Sequence, residues 1–279
     1  YGYVSDTIFG AGNGTKENPY LINTPEQLVA FAGSLNEDEH YDGKYVKLGN
    51  HISLDGIEWI PAGGSGVYGF RGTFDGNNKV ISHMTIGSPE NPEMYCKSVG
   101  LFANLEAARI KNLGIENASI YQKYLGDSIA YSGLLSGYYI ENAGDGGYVD
   151  FCYAEGTINS YTAKQNDSGG LIGAINRGTI ANSYTKAEIN CESRDGYAYA
   201  GGISALPNRA LIINNYALGS IKGKGNGARI QIGGISGMNA GITINNYASV
   251  ELVSANTTVD IGGFSGRVSG IGYVERAYY

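Results

Sequence analysis

The chain has 279 residues, with 44 Gly, 23 Tyr and a formal net charge of −7. At 42% hydrophobic residues it is too apolar for disorder, and its glycine far exceeds the usual ~7% without a collagen-like period. A mildly acidic chain with no run of about 18 apolar residues points to neither a nucleic-acid partner nor membrane insertion by this segment.

The chain begins at Tyr1 rather than Met and carries no secretory signal, so a processed or excised piece is expected. The stretch "GAGNGT" at Gly10–Thr15 lacks the Lys-Ser/Thr ending of a phosphate loop and reads as a loop. "TPEQLVAFAGSL" then offers Thr24 as N-cap, Pro25 at the first helical position and Gln27 at the capping-box position. Leu28, Phe31, Ala32 and Leu35 make one apolar stripe, so this is a short helix covering the end of whatever follows. "KYVKLGNHISL" and "GTFDGNNKVISHMTI" read as irregular strands with a turn at Asp75–Asn78. Asp55, Glu58 and Asp75 are expected to cap turns.

From residue 99 a repeat takes over. Gly100, Gly133, Gly170, Gly202, Gly234 and Gly263 head units such as "GGLIGAI" and "GGISGM", spaced 33, 37, 32, 32 and 29 residues apart. Tyr153, Tyr184, Tyr216, Tyr247 and Tyr278 follow at spacings of 31, 32, 31 and 31. A period of this length marks a repeat architecture, and short β-branched, aromatic segments punctuated by Gly and Asn mark strands. Three strands per period, stacked coil on coil, make a parallel β-helix of about 30-residue coils. Residues 1–98 are then an N-terminal cap with irregular coils, and 99–279 are repeat coils of the same solenoid.

That geometry predicts ladders. Val149, Ile180, Ile212, Thr243 and Val274, four positions before each tyrosine, should stack inward. Asn182, Asn214 and Asn245, with Asn112 equivalent to them, should hydrogen-bond from coil to coil, and Tyr153, Tyr184, Tyr216 and Tyr247 should stack as rings. The double glycines suit bends with positive φ and let neighbouring backbones approach.

"YQKYLGDSIAYS", "NSYTAKQNDS", "NCESRDGYAY" and "KGKGNGARIQ" lie between repeats and are expected as loops along one edge. Their tyrosines, Tyr121, Tyr124, Tyr131, Tyr161, Tyr197 and Tyr199, are the candidate binding residues, able to stack on sugar rings or grip a protein. The bland alternative packs them against the coil wall.

Catalytic and metal patterns are absent from the sequence. His40, His51 and His83 lack ligand spacing, no G-x-S-x-G elbow has triad partners, and no metal or cofactor is expected. Glu188 and Glu251 should share a face two coils apart, about 9–10 Å, near the inverting-glycosidase range, but alternation with Thr157 and Ser220 keeps like charges apart and is the stronger reading, a solvated strand. Cys96, Cys152 and Cys191 cannot all pair; buried free thiols are expected, with a Cys152–Cys191 bridge left open.

"GGLIG" followed by "GTIANSYTKAEI", after the lead-in "GNGTKENPYLINTPEQLVAFAGSLN", "YDGKYVKLGNHISLDGIEWIPAG" and "FRGTFDGNNKVISHMTIG", resembles the GLUG-motif repeats of bacterial surface and secreted proteins. The resemblance covers residues 9–279, although only Gly170–Gly173 spells G-L-x-G. It implies a right-handed β-helix in a large exported protein, in some members beside a protease module, with no catalytic residues to carry over. The expectation is a non-enzymatic extracellular or cell-surface module, a spacer or an adhesin-like binder of glycan or host protein, joined to other domains because "ERAYY" stops midway through a repeat. The alternatives are a polysaccharide lyase or glycosidase, and an accessory module of a secreted protease.

Overall fold

The computed structural model describes residues 8–37, 39–64, 69–141, 146–225, 229–254 and 259–279. It is a parallel β-solenoid in which residues one coil apart pair directly. One inward column runs Val46, Phe74, Ile110, Val149, Ile180, Ile212, Thr243 and Val274. All but Val274 are buried. Branched and aromatic side chains fill such a column because the pleat aims every second residue inward at one coil spacing, about 4.8 Å. Thr243 breaks the chemistry: its hydroxyl is buried there without a hydrogen-bond partner.

The N-terminal end is closed by the helix Pro25–Asn36. Thr24 Oγ1 accepts the Gln27 amide at 3.3 Å. Gln27 Oε1 reaches back to the amide of Asn23 at 2.7 Å, one residue beyond the N-cap amide that a capping box normally closes on. Leu28, Phe31, Ala32 and Leu35 are buried. Phe31 meets the rings of Phe70, Phe74 and Phe102 from the coils beneath at 5.7–6.5 Å, and Phe9 and Tyr41 close over its other side. Burial of each such ring contributes about 1.5–3 kcal/mol.

The double glycines correct the conformational expectation. None of the repeat doublets, Gly169–Gly170, Gly201–Gly202, Gly233–Gly234 and Gly262–Gly263, has positive φ. A Cβ at Gly170, Gly202 or Gly234 would instead run into the carbonyl of Gly202, Gly234 or Gly263 in the next coil. The doublets serve close approach, as the packing half of the expectation held. Positive φ falls on Asn112, Phe151, Asn182, Asn214, Asn245 and Arg276, which stand at one register coil after coil.

The segments expected as loops are largely strand. Tyr121–Tyr124, Asn159–Thr162, Asn190–Ser193 and Lys222–Gly225 end strands of one wall. Ala130–Gly133, Asn166–Gly169, Ala198–Gly201 and Ile230–Gly233 belong to a second wall of six parallel strands, completed by Ser98–Val99 and Val259–Gly262. Only short turns, such as residues 163–165 and 194–197, separate the two walls. Asn226–Ala228, within the fourth segment, lie outside the described residues.

All three cysteines are free, Cys152 and Cys191 buried. Cys191 pairs in register with Ser160, eight residues beyond Cys152. Along extended chain that is roughly 25 Å, and a disulfide needs Cα atoms within about 7 Å. No Cys152–Cys191 bridge forms in this fold.

Candidate functional site

Each repeat coil turns a concave corner at its glycine segment. A strand of the six-stranded wall enters, the chain bends through Gly-Gly, and the next strand leaves at Ser136–Ile140, Ile172–Asn176, Ser204–Ile213 or Ser236–Ser254. The third glycine of the motif makes the corner tight. A Cβ at Gly173 would strike the Asp167 carbonyl and the Ser132 amide, and one at Gly237 the Ala200 amide and the Gln231 carbonyl. Ala205 stands at this position in one coil and is fully buried.

Two outward columns face each other across the corner. One is Tyr131, Asp167, Tyr199, Gln231 and Asp260, paired in register. The other is Tyr138, Ala174, Leu206, Met238 and Arg267. The Tyr131 and Tyr138 rings touch across it with centroids 4.8 Å apart. Asp167 is completely buried. Gln165 Nε2 donates to its Oδ1 at 2.9 Å, and its Oδ2 has no partner. Burial lifts its carboxyl to about 7, against the smaller opposing effect of the Gln165 bond. Burial, then the nearby Asp167 charge, raises the phenols of Tyr131 and Tyr199, the latter to about 12. Gln231 is also buried; its Nε2 donates to Asp260 Oδ2 at 2.8 Å while its Oε1 is unpartnered. Asp167 and Gln231 were not singled out from sequence, because they sat in segments read as loops; the alternation "NDSGG", "YAGG", "QIGG" was the available signal.

The six candidate tyrosines do not form one row. Tyr131 and Tyr199 stand in the corner column, with Tyr197 stacked on Tyr199 at 5.6 Å. Tyr121, Tyr124 and Tyr161 lie on the adjoining wall, where Tyr121 pairs with Asn159 and Tyr161 with Lys123. Tyr124 Oη hydrogen-bonds Ser128 Oγ at 3.1 Å. Tyr197 is 47% exposed and Tyr199 only 8%.

Tyr153, Tyr184 and Tyr216 stack coil on coil, with centroids 4.9 and 4.7 Å apart and planes within 3°. Tyr247 continues that register, and the column is partly exposed. Beside it, Asn245 Nδ2 donates to Asn214 Oδ1, Asn214 Nδ2 to Asn182 Oδ1, and Asn182 Nδ2 to Asp150 Oδ1, at 2.7, 3.2 and 2.9 Å. Asn112 ends the same way on Asp75 Oδ1 at 3.1 Å. Asp75 also accepts the Asn77 amide and so caps that turn.

A second, buried column stands one residue later: Cys152, Ser183, Asn215 and Asn246. Each side chain donates to the carbonyl two residues back, at Asp150, Ala181, Ile213 and Ile244. The Ser183, Asn215 and Asn246 side chains also accept the amide of Cys152, Ser183 and Asn215 respectively. This gives Cys152 a structural place; burial pushes its thiol up to about 12, out of reach of thiolate chemistry at neutral pH.

Glu188 and Glu251 align through Ser220 on an exposed strand face, and Thr157 extends the row. A shallow cavity of about 320 Å³ between the early coils is lined by Glu58, Thr85 and Asn91. No cluster of three metal-ligating side chains occurs among the described residues, and no helix among them is long and apolar enough to cross a membrane.

No family model matches the chain. A "Putative Gly-rich membrane protein" of Evansella cellulosilytica is 29% identical over 116 residues, 41% of this chain and 13% of that protein. "Halomucin" of Haloquadratum walsbyi is 29% identical over 179 residues, 61% of this chain and 2% of its own length. The chain thus matches a small part of these relatives. Among solved structures, a "putative immunoglobulin A1 protease" from Bacteroides ovatus superposes with a TM-score of 0.63 at 21% identity, over 98% of this chain and 87% of that one. An "IgA1 Protease" superposes with a TM-score of 0.64 at 15% identity, over 99% of this chain and 20% of that one. These likenesses establish the β-solenoid fold.

Proposed function

We propose that the chain is a non-enzymatic, extracellular or cell-surface β-solenoid module of a larger bacterial protein, and that it binds a glycan or a host protein through tyrosine-bearing walls. The GLUG-type lead-in and repeats, with residues 1–98 as cap and irregular coils and 99–279 as regular coils, support an exported parent. The observation that carries a binding role over a pure spacer is the concentration of partly exposed tyrosine on two adjoining walls: Tyr121, Tyr124 and Tyr161 on one, Tyr131 and Tyr197 at the corner, where Tyr197 stacks on the buried Tyr199. A rigid solenoid holds such rings without ordering cost at binding. Glu188 and Glu251 stand on an open strand face rather than in a cleft, which weighs against the lyase or glycosidase alternative.

A second reading is an accessory segment of a secreted protease whose catalytic residues lie elsewhere in the parent. The protease-named chains that share the fold favour it, one of them matched over only 20% of its length. Both readings meet one experiment: binding of the labelled chain to an array of glycans, host matrix proteins and immunoglobulin A1. Saturable binding to a glycan or matrix protein supports the first reading, and binding to immunoglobulin A1 alone supports the second. Steady release of product from a polysaccharide panel would refute the non-enzymatic assignment.

A further inference from the structure

Two buried acceptors in the concave corner lack donors. Asp167 Oδ2 and Gln231 Oε1 belong to side chains that are 0% and 1% exposed, and neither atom has a partner. Leaving a buried acceptor unmet is destabilising, so two in one short column is a strain that a ligand's donors would relieve. Both stand in register with Tyr131, whose ring meets Tyr138 across the corner, so they face the corner rather than the solenoid core. The inward neighbours Asn166 and Ser168, by contrast, are bonded to Ser160, Glu192 and Ser132.

We propose that this corner is a binding groove for an extended neutral carbohydrate chain lying along the solenoid axis, with Asp167 and Gln231 accepting from its hydroxyls and Tyr199 stacking on the ring between them. This deepens the binding reading above and rests on it. Gln231 Oε1 is an acceptor, and so is Asp167 Oδ2 in the ionised carboxylate, so the ligand must present donors. They stand two coils apart, about 9.6 Å by the strand spacing, with Tyr199 at the level between. A β-linked pyranose chain advances by about one coil spacing per ring, so hydroxyls two rings apart meet both acceptors. An extended peptide presents same-side amides about every 6.6 Å and falls out of step. The opposite column offers Ala174, Leu206 and Met238, an apolar strip matched to the C–H face of a sugar. Arg229 and Arg267 act on Tyr199 from the far end, which opposes an ammonium ligand at Asp167.

The test is calorimetric titration of the whole chain with cellohexaose, xylohexaose, mannohexaose and chitohexaose, repeated on three variants. Asp167→Asn keeps size and the Gln165 bond but puts a donor where Oδ2 stood; Gln231→Met removes the second acceptor at equal length; Tyr121→Ala with Tyr161→Ala alters the neighbouring wall. The expected result is saturable binding of at least one hexaose, weakened roughly tenfold or more by each groove substitution and less by the wall pair. Circular dichroism checks that each variant is folded, and either groove variant alone suffices. Binding that ignores both groove variants but is lost in the wall pair overturns the groove and leaves the binding reading standing, as does a matrix protein bound with no hexaose bound. Silence toward every hexaose and every matrix protein overturns both.

Discussion

The two ends of the chain build one solenoid by different means. The N-terminal coils are held by unlike large rings meeting at many angles: Phe31, Phe70, Phe74 and Phe102 make edge-on, tilted and stacked contacts. The later coils are held by like residues one coil apart, with tyrosine on tyrosine, asparagine on asparagine and glycine against glycine. An end must fill a cavity of irregular shape once, whereas a coil must match its neighbour on both sides. Repetition therefore favours small contacts that add, and capping favours a few large ones that do not.

The largest test of that contrast is Phe31→Ala. It removes the ring at the centre of the cap, and such truncations cost about 3–5 kcal/mol. Hydrogen exchange should show protection lost first in the coils around Phe70 and Phe102, while the strands near Tyr216 keep theirs. Uniform loss along the chain would show that cap and coils unfold as one unit.

Next comes the pH dependence set by Asp167 in the repeat coils. Its carboxyl rises from 3.8 to about 7 on folding. Between those values the folded chain holds a proton that the unfolded chain has released, so stability falls as pH rises from about 4 through 7. A shift of roughly 3 units corresponds to about 4 kcal/mol at most. Urea midpoints of wild type should fall across this window, and those of Asp167→Asn should stay flat. A wild-type midpoint that rises from pH 5 to pH 8 would contradict the assignment.

How far these features were legible in sequence follows the same divide. The cap was readable because Thr24, Pro25, Gln27 and the Leu28–Leu35 stripe are local signals. The ladder registers were readable because the period is fixed by Tyr153, Tyr184, Tyr216 and Tyr247. The buried asparagines were not, since an apolar interior was assumed and the doublets "NNYA" offered an exposed partner for each. The corner was hidden because connections of varied composition resemble loops, and only the pairing of Asp167 with Tyr131 and Tyr199 shows that they are wall.

Asn215→Ala tests whether the buried column matters as much as the visible one. Asn215 accepts the Ser183 amide and donates to the Ile180 and Ile213 carbonyls, at 2.9, 3.0 and 3.0 Å. Truncation strands these buried groups and should cost about 2–3 kcal/mol. Asn214→Ala, on the exposed column one residue earlier, should cost less, because water replaces its partners. Equal losses in denaturant unfolding would mean that burial is not what separates the two columns.

The smallest effect has the opposite sign. Phe151 occupies the left-handed register with φ 49° and is 60% exposed, where the coils on either side place Asn112 and Asn182. A bulky side chain costs about 1 kcal/mol in that conformation, and asparagine tolerates it through its short polar side chain. The lack of an amide at 151 also interrupts the asparagine row, so Asn182 turns to Asp150. Phe151→Asn should therefore stabilise the chain by about 1 kcal/mol, read as a higher urea midpoint with unchanged slope. If stability rises as expected while affinity for a bound partner falls, the strained ring is held in place for contact, and the wall carrying Phe151 joins the binding surface. A fall in stability would show instead that this coil gains more from the ring's packing than it loses to its backbone.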